Sequence, residues 1–121
     1  MVKSSLLIPC YKAKRYLPIL KQQVDALIPK FDEVILVDDF SEDGTYEFHI
    51  YKLEYNHGPS GARNVLTKIA TGEWLHFLDV DDEILSNFLE VMLQHVSPDV
   101  DVIIASANFI DEKDRSIRKK W

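Results

Sequence analysis

Trp74-Leu75-His76-Phe77-Leu78-Asp79-Val80-Asp81-Asp82 decides how this chain is read. Its first five residues are mostly apolar and predict a buried strand, which runs directly into three carboxylates within four positions. Carboxylates that close repel one another, and an unpaired one beside a core is costly, so a cation is expected among them. Val34-Ile35-Leu36-Val37-Asp38-Asp39 repeats the arrangement earlier in the chain. Two strands that each end in acidic residues imply one site at one edge of one sheet.

The rest of the chain supports a strand–helix alternation. Ser4 to Pro9 reads as a short buried strand that Pro9 ends. Between Lys14 and Ile28, Leu17, Leu20, Val24, Leu27 and Ile28 fall on one helical face, and Pro29 stops it. The aliphatic run Val34–Val37 suits a strand covered on both sides. Ser41-Glu42-Asp43-Gly44-Thr45 is a turn, and His49 to Tyr55 is a further strand. A second helix opens at Gly58-Pro59-Ser60-Gly61 with Ser60 as N-cap, buries Ala62, Val65, Leu66, Ile69 and Ala70, and ends at Gly72. A third runs from Asn87 to Val96 behind Ser86. Asp101 to Ala105 is another aliphatic strand. A strand, a turn near Glu112-Lys113-Asp114 and a basic end complete the chain.

Such alternation predicts an α/β fold, a mostly parallel sheet with helices on both faces. Ligands in these sheets bind beyond the carboxyl ends of the strands, where both acidic clusters lie. The interval between Asp38 and the strand near His49 is only about ten residues, the lower limit for a helical crossover, so any helix there is reduced to a turn.

Composition narrows the function classes. The 121 residues suffice for one domain, with 46% hydrophobic and 28% charged residues. A net charge of −6 gives no basic footprint for nucleic acid or an anionic membrane. The lone Cys10 forms no internal disulfide, in keeping with a reducing compartment. Leu6-Leu7-Ile8 is too short for a signal or membrane segment. The expected location is the cytoplasm, with peripheral attachment to the inner face of the membrane as the variant.

Several side chains are candidates for chemistry. Asp79, Asp81 and Asp82 suit a hard divalent cation, which takes one or two carboxylates and completes its shell with phosphate and water. Their bland reading is an acidic turn. Asp38 and Asp39 either organise the loop through Ser41 or accept hydrogen bonds from a base or ribose. Arg63, in the first turn of a helix, opposes the macrodipole, a placement that makes sense if an anion is bound nearby, and the amides of Ser60-Gly61-Ala62 would help hold one. Its bland reading is an ion pair with a neighbouring acid. The four histidines have no ligand spacing and read as structural, as does Cys10. Tyr11 either stacks on a base or is an ordinary rim aromatic.

Taken in order, Ser5-Leu6-Leu7-Ile8-Pro9-Cys10-Tyr11, Val37-Asp38-Asp39-Phe40-Ser41, Asp43-Gly44-Thr45, Asn56-His57-Gly58, Ala62-Arg63-Asn64, Gly72-Glu73 and Phe77-Leu78-Asp79-Val80-Asp81-Asp82 resemble family 2 glycosyltransferases. The resemblance implies a GT-A (Rossmann-like) fold that binds a nucleotide-diphospho-sugar, with a D-x-D metal site. It implies that Pro9 and Tyr11 line the base pocket, that Asp39 bonds the uracil of a UDP-sugar, and that Arg63 lies on the nucleotide side. Asp81 would approach the ribose or sugar. Asp82, with Asp81, would coordinate Mn²⁺ or Mg²⁺ bridging the diphosphate, while Asp79 orders the loop. The implied reaction is inverting transfer of the sugar to a hydroxyl of a saccharide or lipid-linked acceptor.

Two departures stand out: Phe40 occupies a position that is often glycine in the family, and Lys12 one that is often asparagine, so a different loop shape is expected there. Family members also continue well beyond this length. Residues 1–121 are therefore expected to be a single donor-binding domain, truncated before the acceptor site and general base, that binds donor but is catalytically incomplete. A sheet so cut would expose an edge open to self-association. Two other readings compete on particular residues. A haloacid dehalogenase-type phosphatase would use Asp79 and Asp81, but Glu83 stands where threonine or valine is expected. A receiver-like domain would rest on Asp38 and Asp39, but Ile104-Ala105-Ser106 lacks the required lysine.

Overall fold

A computed structural model describes residues 3–43 and 51–120. The chain divides into two compact units, residues 1–89 and 90–121. In the first, β1 (Ser4–Cys10), α1 (Leu17–Asp25), β2 (Glu33–Asp38), β3 (Tyr51–Lys52), α2 (Gly58–Ile69) and β4 (Trp74–Phe77) precede α3 (Phe88–Leu93), within which the division falls. The four strands form one parallel sheet in the order β3-β2-β1-β4. This is the expected α/β architecture.

Strand β1 is the hydrophobic centre. Leu6, Leu7 and Ile8 have no exposed surface, and alternation along the strand sends Leu7 to one face and Leu6 and Ile8 to the other. On the first face Leu7, Ile35 and Val37 join Ala62 and Leu66 of α2 in a buried cluster, with Leu53, Val65, Ala70 and Leu75 against it. On the second, His76, which pairs with Leu6 across the β1–β4 ladder, lies between the rings of Phe31 and Phe88 at 6.2 and 4.5 Å. Both faces are covered, which is why β1 is apolar at consecutive positions.

Several expectations are corrected. Pro9 does not end β1: the strand continues to Cys10, because Pro9 lies past the last β1–β4 pair, Leu7↔Phe77. The first helix is shorter, since Pro18 is tolerated only in a first turn, and Ile28 is exposed rather than part of the buried face. Strand β4 lies at the outer position of the sheet, so Trp74, Leu75 and His76 are half-buried rather than buried. Among the described residues the third strand is Tyr51–Lys52, ending before Tyr55, and it pairs with Val37 and Asp38; His49, Gly44 and Thr45 lie outside the described residues.

In the second unit, β5 (Asn108–Ile110) and β6 (Ile117–Lys120) form an antiparallel hairpin around the expected turn. Asp111 accepts the N–H groups of Lys113 and Asp114 at 2.8 and 3.2 Å, and Arg118 pairs with Asp111 and Asp114, each at 3.2 Å. The expected strand at Asp101–Ala105 does not form. Val102 and Ile104 are 73% and 89% exposed, because β-branched residues favour a strand only where a neighbouring backbone pairs with them. Among the described residues, no helix is long and apolar enough to cross a membrane.

Candidate functional site

Because all four strands are parallel and β1 lies between β2 and β4, the two acidic strand ends emerge on the same sheet edge, one on each side of β1. Two strand spacings separate them, about 10 Å. One extended ligand can therefore touch both.

At the β2 end the paired aspartates have different tasks. Asp38 is fully buried, and its carboxylate accepts the Ser41 hydroxyl through Oδ1 and the Ser41 N–H through Oδ2 at 3.2 Å. Ser41 Oγ accepts the Lys12 N–H at 2.7 Å, tying the β2 loop to the β1 loop. For Asp38 the loop-organising reading is correct. Asp39 is 3% exposed, and its backbone N–H donates to Cys10 O at 2.8 Å. Its Oδ1 accepts the His57 N–H at 2.6 Å and lies 3.6 Å from His57 Nδ1. Both contacts fall on Oδ1 rather than Oδ2.

The start of α2 explains that arrangement. Ser60 is not the N-cap; the helix begins two residues earlier, at Gly58, with Pro59 in its first turn and His57 as cap residue. The helix's exposed N–H groups still need acceptors. Asp39 takes that of His57, and Asn56 Oδ1 takes that of Gly58 at 3.1 Å. Asn56 also donates to Asp39 O at 3.1 Å. His57 Nδ1 lies 2.7 Å from Tyr55 O, so that nitrogen carries the hydrogen, and its ring stacks on Tyr55 at 4.0 Å. Sequence reading gave His57 no site role; the signal was its place between Asn56 and Gly58, just before a helix.

At the β4 end, Leu78 donates its N–H to Leu7 O at 3.0 Å, and the chain then turns, with the Asp82 N–H on Asp79 O at 3.0 Å. Buried Ile84 closes the turn, and its N–H donates to Gln23 Oε1 of α1 at 3.0 Å. The acidic turn is thus anchored at both ends, with its carboxylates outward. Asp79 enters the turn through its backbone carbonyl, while its carboxylate Oδ1 meets Arg63 Nη2 at 2.7 Å. Arg63 lies in the second turn of α2, not the first, so its macrodipole penalty is small, and the acid it pairs with is Asp79. Partial burial raises the Asp82 carboxyl above the ordinary aspartate range, and the charges of Asp79 and Asp81 add to the rise. Among the described residues, no group of three His, Cys, Asp or Glu side chains converges as a metal-binding set.

Pro9 is half-buried in β1, and Tyr11 beyond it is 49% exposed with Lys12 Nζ 5.2 Å from its ring centre. Lys12 and Phe40 both take left-handed backbone, φ 50° and 63°. Glycine and asparagine adopt such backbone more readily than the side chains that stand on it here. Cys10 is a core thiol, its pKa pushed up to about 12 by burial and the nearby Asp38 charge. His76 is structural, its pKa lowered by burial.

Comparison with known proteins agrees with this geometry. Residues 5–121 match the family model for glycosyl transferase family 2. Glycosyltransferase GlyG of Streptococcus pneumoniae is 31% identical over 127 aligned positions, covering 91% of this chain and 40% of GlyG. The poly(ribitol-phosphate) beta-N-acetylglucosaminyltransferase TarS of Staphylococcus aureus is 35% identical over 97 residues, covering 69% of this chain and 17% of TarS. The crystal structure of TarS 1–349 in complex with UDP-GlcNAc superposes with a TM-score of 0.66 at 32% identity, over 76% of this chain and 30% of that one. The complex with UDP gives 0.69 at 31%. The chain thus spans two-fifths or less of the length of these relatives. Neither the phosphatase nor the receiver reading finds support.

Proposed function

This chain belongs to glycosyl transferase family 2, and we propose that the C-terminal edge of its sheet is the donor site for a UDP-sugar and a divalent cation, in an inverting transfer to an acceptor hydroxyl. The observation that carries this reading is the division of labour at Asp39: Oδ1 is held by the start of α2, and Oδ2 would meet the ligand. A carboxylate oxygen fixed at the end of β2 suits the N–H on the pairing edge of uracil. Pro9 and Tyr11 border the same place.

The diphosphate would reach the acidic turn after β4, about 10 Å away across β1. Arg63 neutralises Asp79 there and would swing part of its guanidinium towards phosphate. The residues fit a divalent cation: Asp82 is crowded by burial and by Asp79 and Asp81, a strain that positive charge relieves. Asp82 and Asp81 would hold Mn²⁺ or Mg²⁺, with phosphate and water contributing to the shell. When bound, such an ion stabilises the negative charge that collects on the departing diphosphate.

Five aspartates of this edge are given to binding in this reading: Asp38 to the loop, Asp39 to the base, Asp79 to Arg63, Asp81 and Asp82 to the cation. None is left to deprotonate the acceptor. Residues 1–121 alone would then bind donor as a single domain without turning it over. Two structures of one relative support the donor class, since TarS is crystallised with UDP-GlcNAc and with UDP.

Calorimetric titration tests the reading. UDP should bind with Mn²⁺ or Mg²⁺ present and far more weakly without it. Asp39→Asn should erase the preference for UDP over ADP, and Asp82→Asn should erase the metal dependence. Metal-independent binding, or no binding of UDP at all, would overturn the assignment.

A further inference from the structure

Phe40 holds a backbone conformation that its side chain disfavours. Its φ of 63° is left-handed, where a bulky residue is disfavoured relative to glycine and persists only if its surroundings hold it. The surroundings do hold it: Asp38 and Ser41 lock the loop through their mutual hydrogen bonds, and Ser41 is tied to Lys12. Packing does not explain the choice of phenylalanine, because the residue is 40% exposed. Its ring lies beneath a cation, with Lys52 Nζ 5.9 Å from the ring centre, as Lys12 lies over Tyr11 on the adjacent loop. Such a contact orients a ring at little cost.

We infer that Phe40 is a positioning residue for the donor nucleotide, its ring a stacking face for the nucleobase. The inference rests on the donor-site reading. Asp39 and Phe40 are consecutive, one buried and one exposed. The first supplies an acceptor for the edge of a planar base, and the second an apolar plane for its face. A flat heteroaromatic ring is the ligand chemistry that uses both, and neither the sugar nor the phosphates does.

The test measures binding of UDP and of pyrophosphate, with Mn²⁺ present, to the wild-type chain and to Phe40→Gly, Phe40→Asn and Phe40→Tyr. Ligand-free melting temperatures are recorded alongside. Glycine and asparagine both accept left-handed backbone, so these variants should melt no lower than wild type. They should bind UDP about ten-fold more weakly, the loss expected of a base–aromatic stack. Pyrophosphate affinity should not change, and Phe40→Tyr should keep wild-type affinity for UDP. Unchanged or tighter UDP binding by the glycine and asparagine variants would overturn the inference while leaving the donor site intact. So would an equal loss for pyrophosphate. If the wild-type chain itself binds no UDP, the donor-site reading fails and takes this inference with it.

Discussion

Arg63 Nη2 lies 2.7 Å from Asp79 Oδ1, joining the second turn of α2 to the first residue of the acidic loop. The two side chains are 38% and 50% exposed, so water and salt screen the pair, and its stability contribution should be below about 1 kcal/mol. A double-mutant cycle of Arg63→Ala and Asp79→Ala by urea denaturation should return a coupling of that size, vanishing in high salt. Ligand binding separates the partners. Arg63→Ala should weaken UDP by roughly ten-fold, the order of one charge-assisted hydrogen bond, whereas Asp79→Ala should weaken it less. Equal losses would mean that Arg63 serves only the loop.

Asp82 makes stability depend on pH in a defined direction. Its carboxyl is raised in the folded protein, first by burial and then by Asp79 and Asp81. The folded state therefore holds that proton more tightly than the unfolded chain does. The resulting stabilisation is complete below the unfolded pKa and is lost as pH rises through the folded value. Asp82→Asn should raise the metal-free melting temperature at neutral pH and leave it little changed in acid. Added Mn²⁺ should stabilise wild type increasingly as pH rises through the same interval, and the variant much less. Melting curves across that interval check both.

Ser41 is the knot of the nucleotide-side loops. Its hydroxyl donates to fully buried Asp38 and accepts from the Lys12 N–H, so Ser41→Ala leaves a buried carboxylate oxygen and an amide short of a partner. The cost should be about 1–3 kcal/mol, read as a lower urea midpoint with an unchanged slope. A changed slope would instead indicate loss of the folded loop.

Gly72 packs directly on β1: a Cβ there would stand 2.8 Å from Ser5 N, and its own N–H donates to Ser5 Oγ at 3.0 Å. Gly72→Ala should destabilise by about 1–3 kcal/mol, since backbone rather than a flexible tip must move. Ser5 also donates to Glu33 Oε2 at 2.6 Å; that bond, with the Thr71 N–H second, lowers the Glu33 carboxyl below its usual range. This stabilisation is present above the unfolded pKa and is lost as pH falls through the folded one. Ser5→Ala should flatten that acid-side decline in a pH series of melts.

Much of the architecture was legible because it depends on local pattern. Consecutive apolar residues at Leu6–Ile8 identify a strand covered on two faces, and periodic Ala62 and Leu66 identify the helix that covers one of them. The same pattern at Val34–Val37 marks a strand but not its cover, since Ile35 and Val37 are buried while Val34 on the other face is 38% exposed. Where pattern was the only guide to pairing, it failed. Val102 and Ile104 have strand-forming side chains but no strand, because pairing is decided by a distant backbone. Ser60 is a good cap by type, yet the acceptors at the start of α2 are Asn56 and Asp39, the latter eighteen positions from His57 in sequence.

The same boundary runs through the site. Asp38 and Asp39 are chemically identical neighbours, and only the strand's alternation, with Ser41 on one side and His57 on the other, makes one a loop brace and ties the other to the start of α2. The left-handed turn at Phe40 is likewise invisible in a phenylalanine, since a side chain does not announce a conformation it disfavours. By itself the sequence determined that two strands end in carboxylates and that parallel pairing brings those ends to one edge. Tertiary structure alone decided which of those carboxylate oxygens are taken up by hydrogen bonds within the chain. Hydrogen bonding between residues far apart in the chain depends on distances of a few ångströms that only the folded backbone sets.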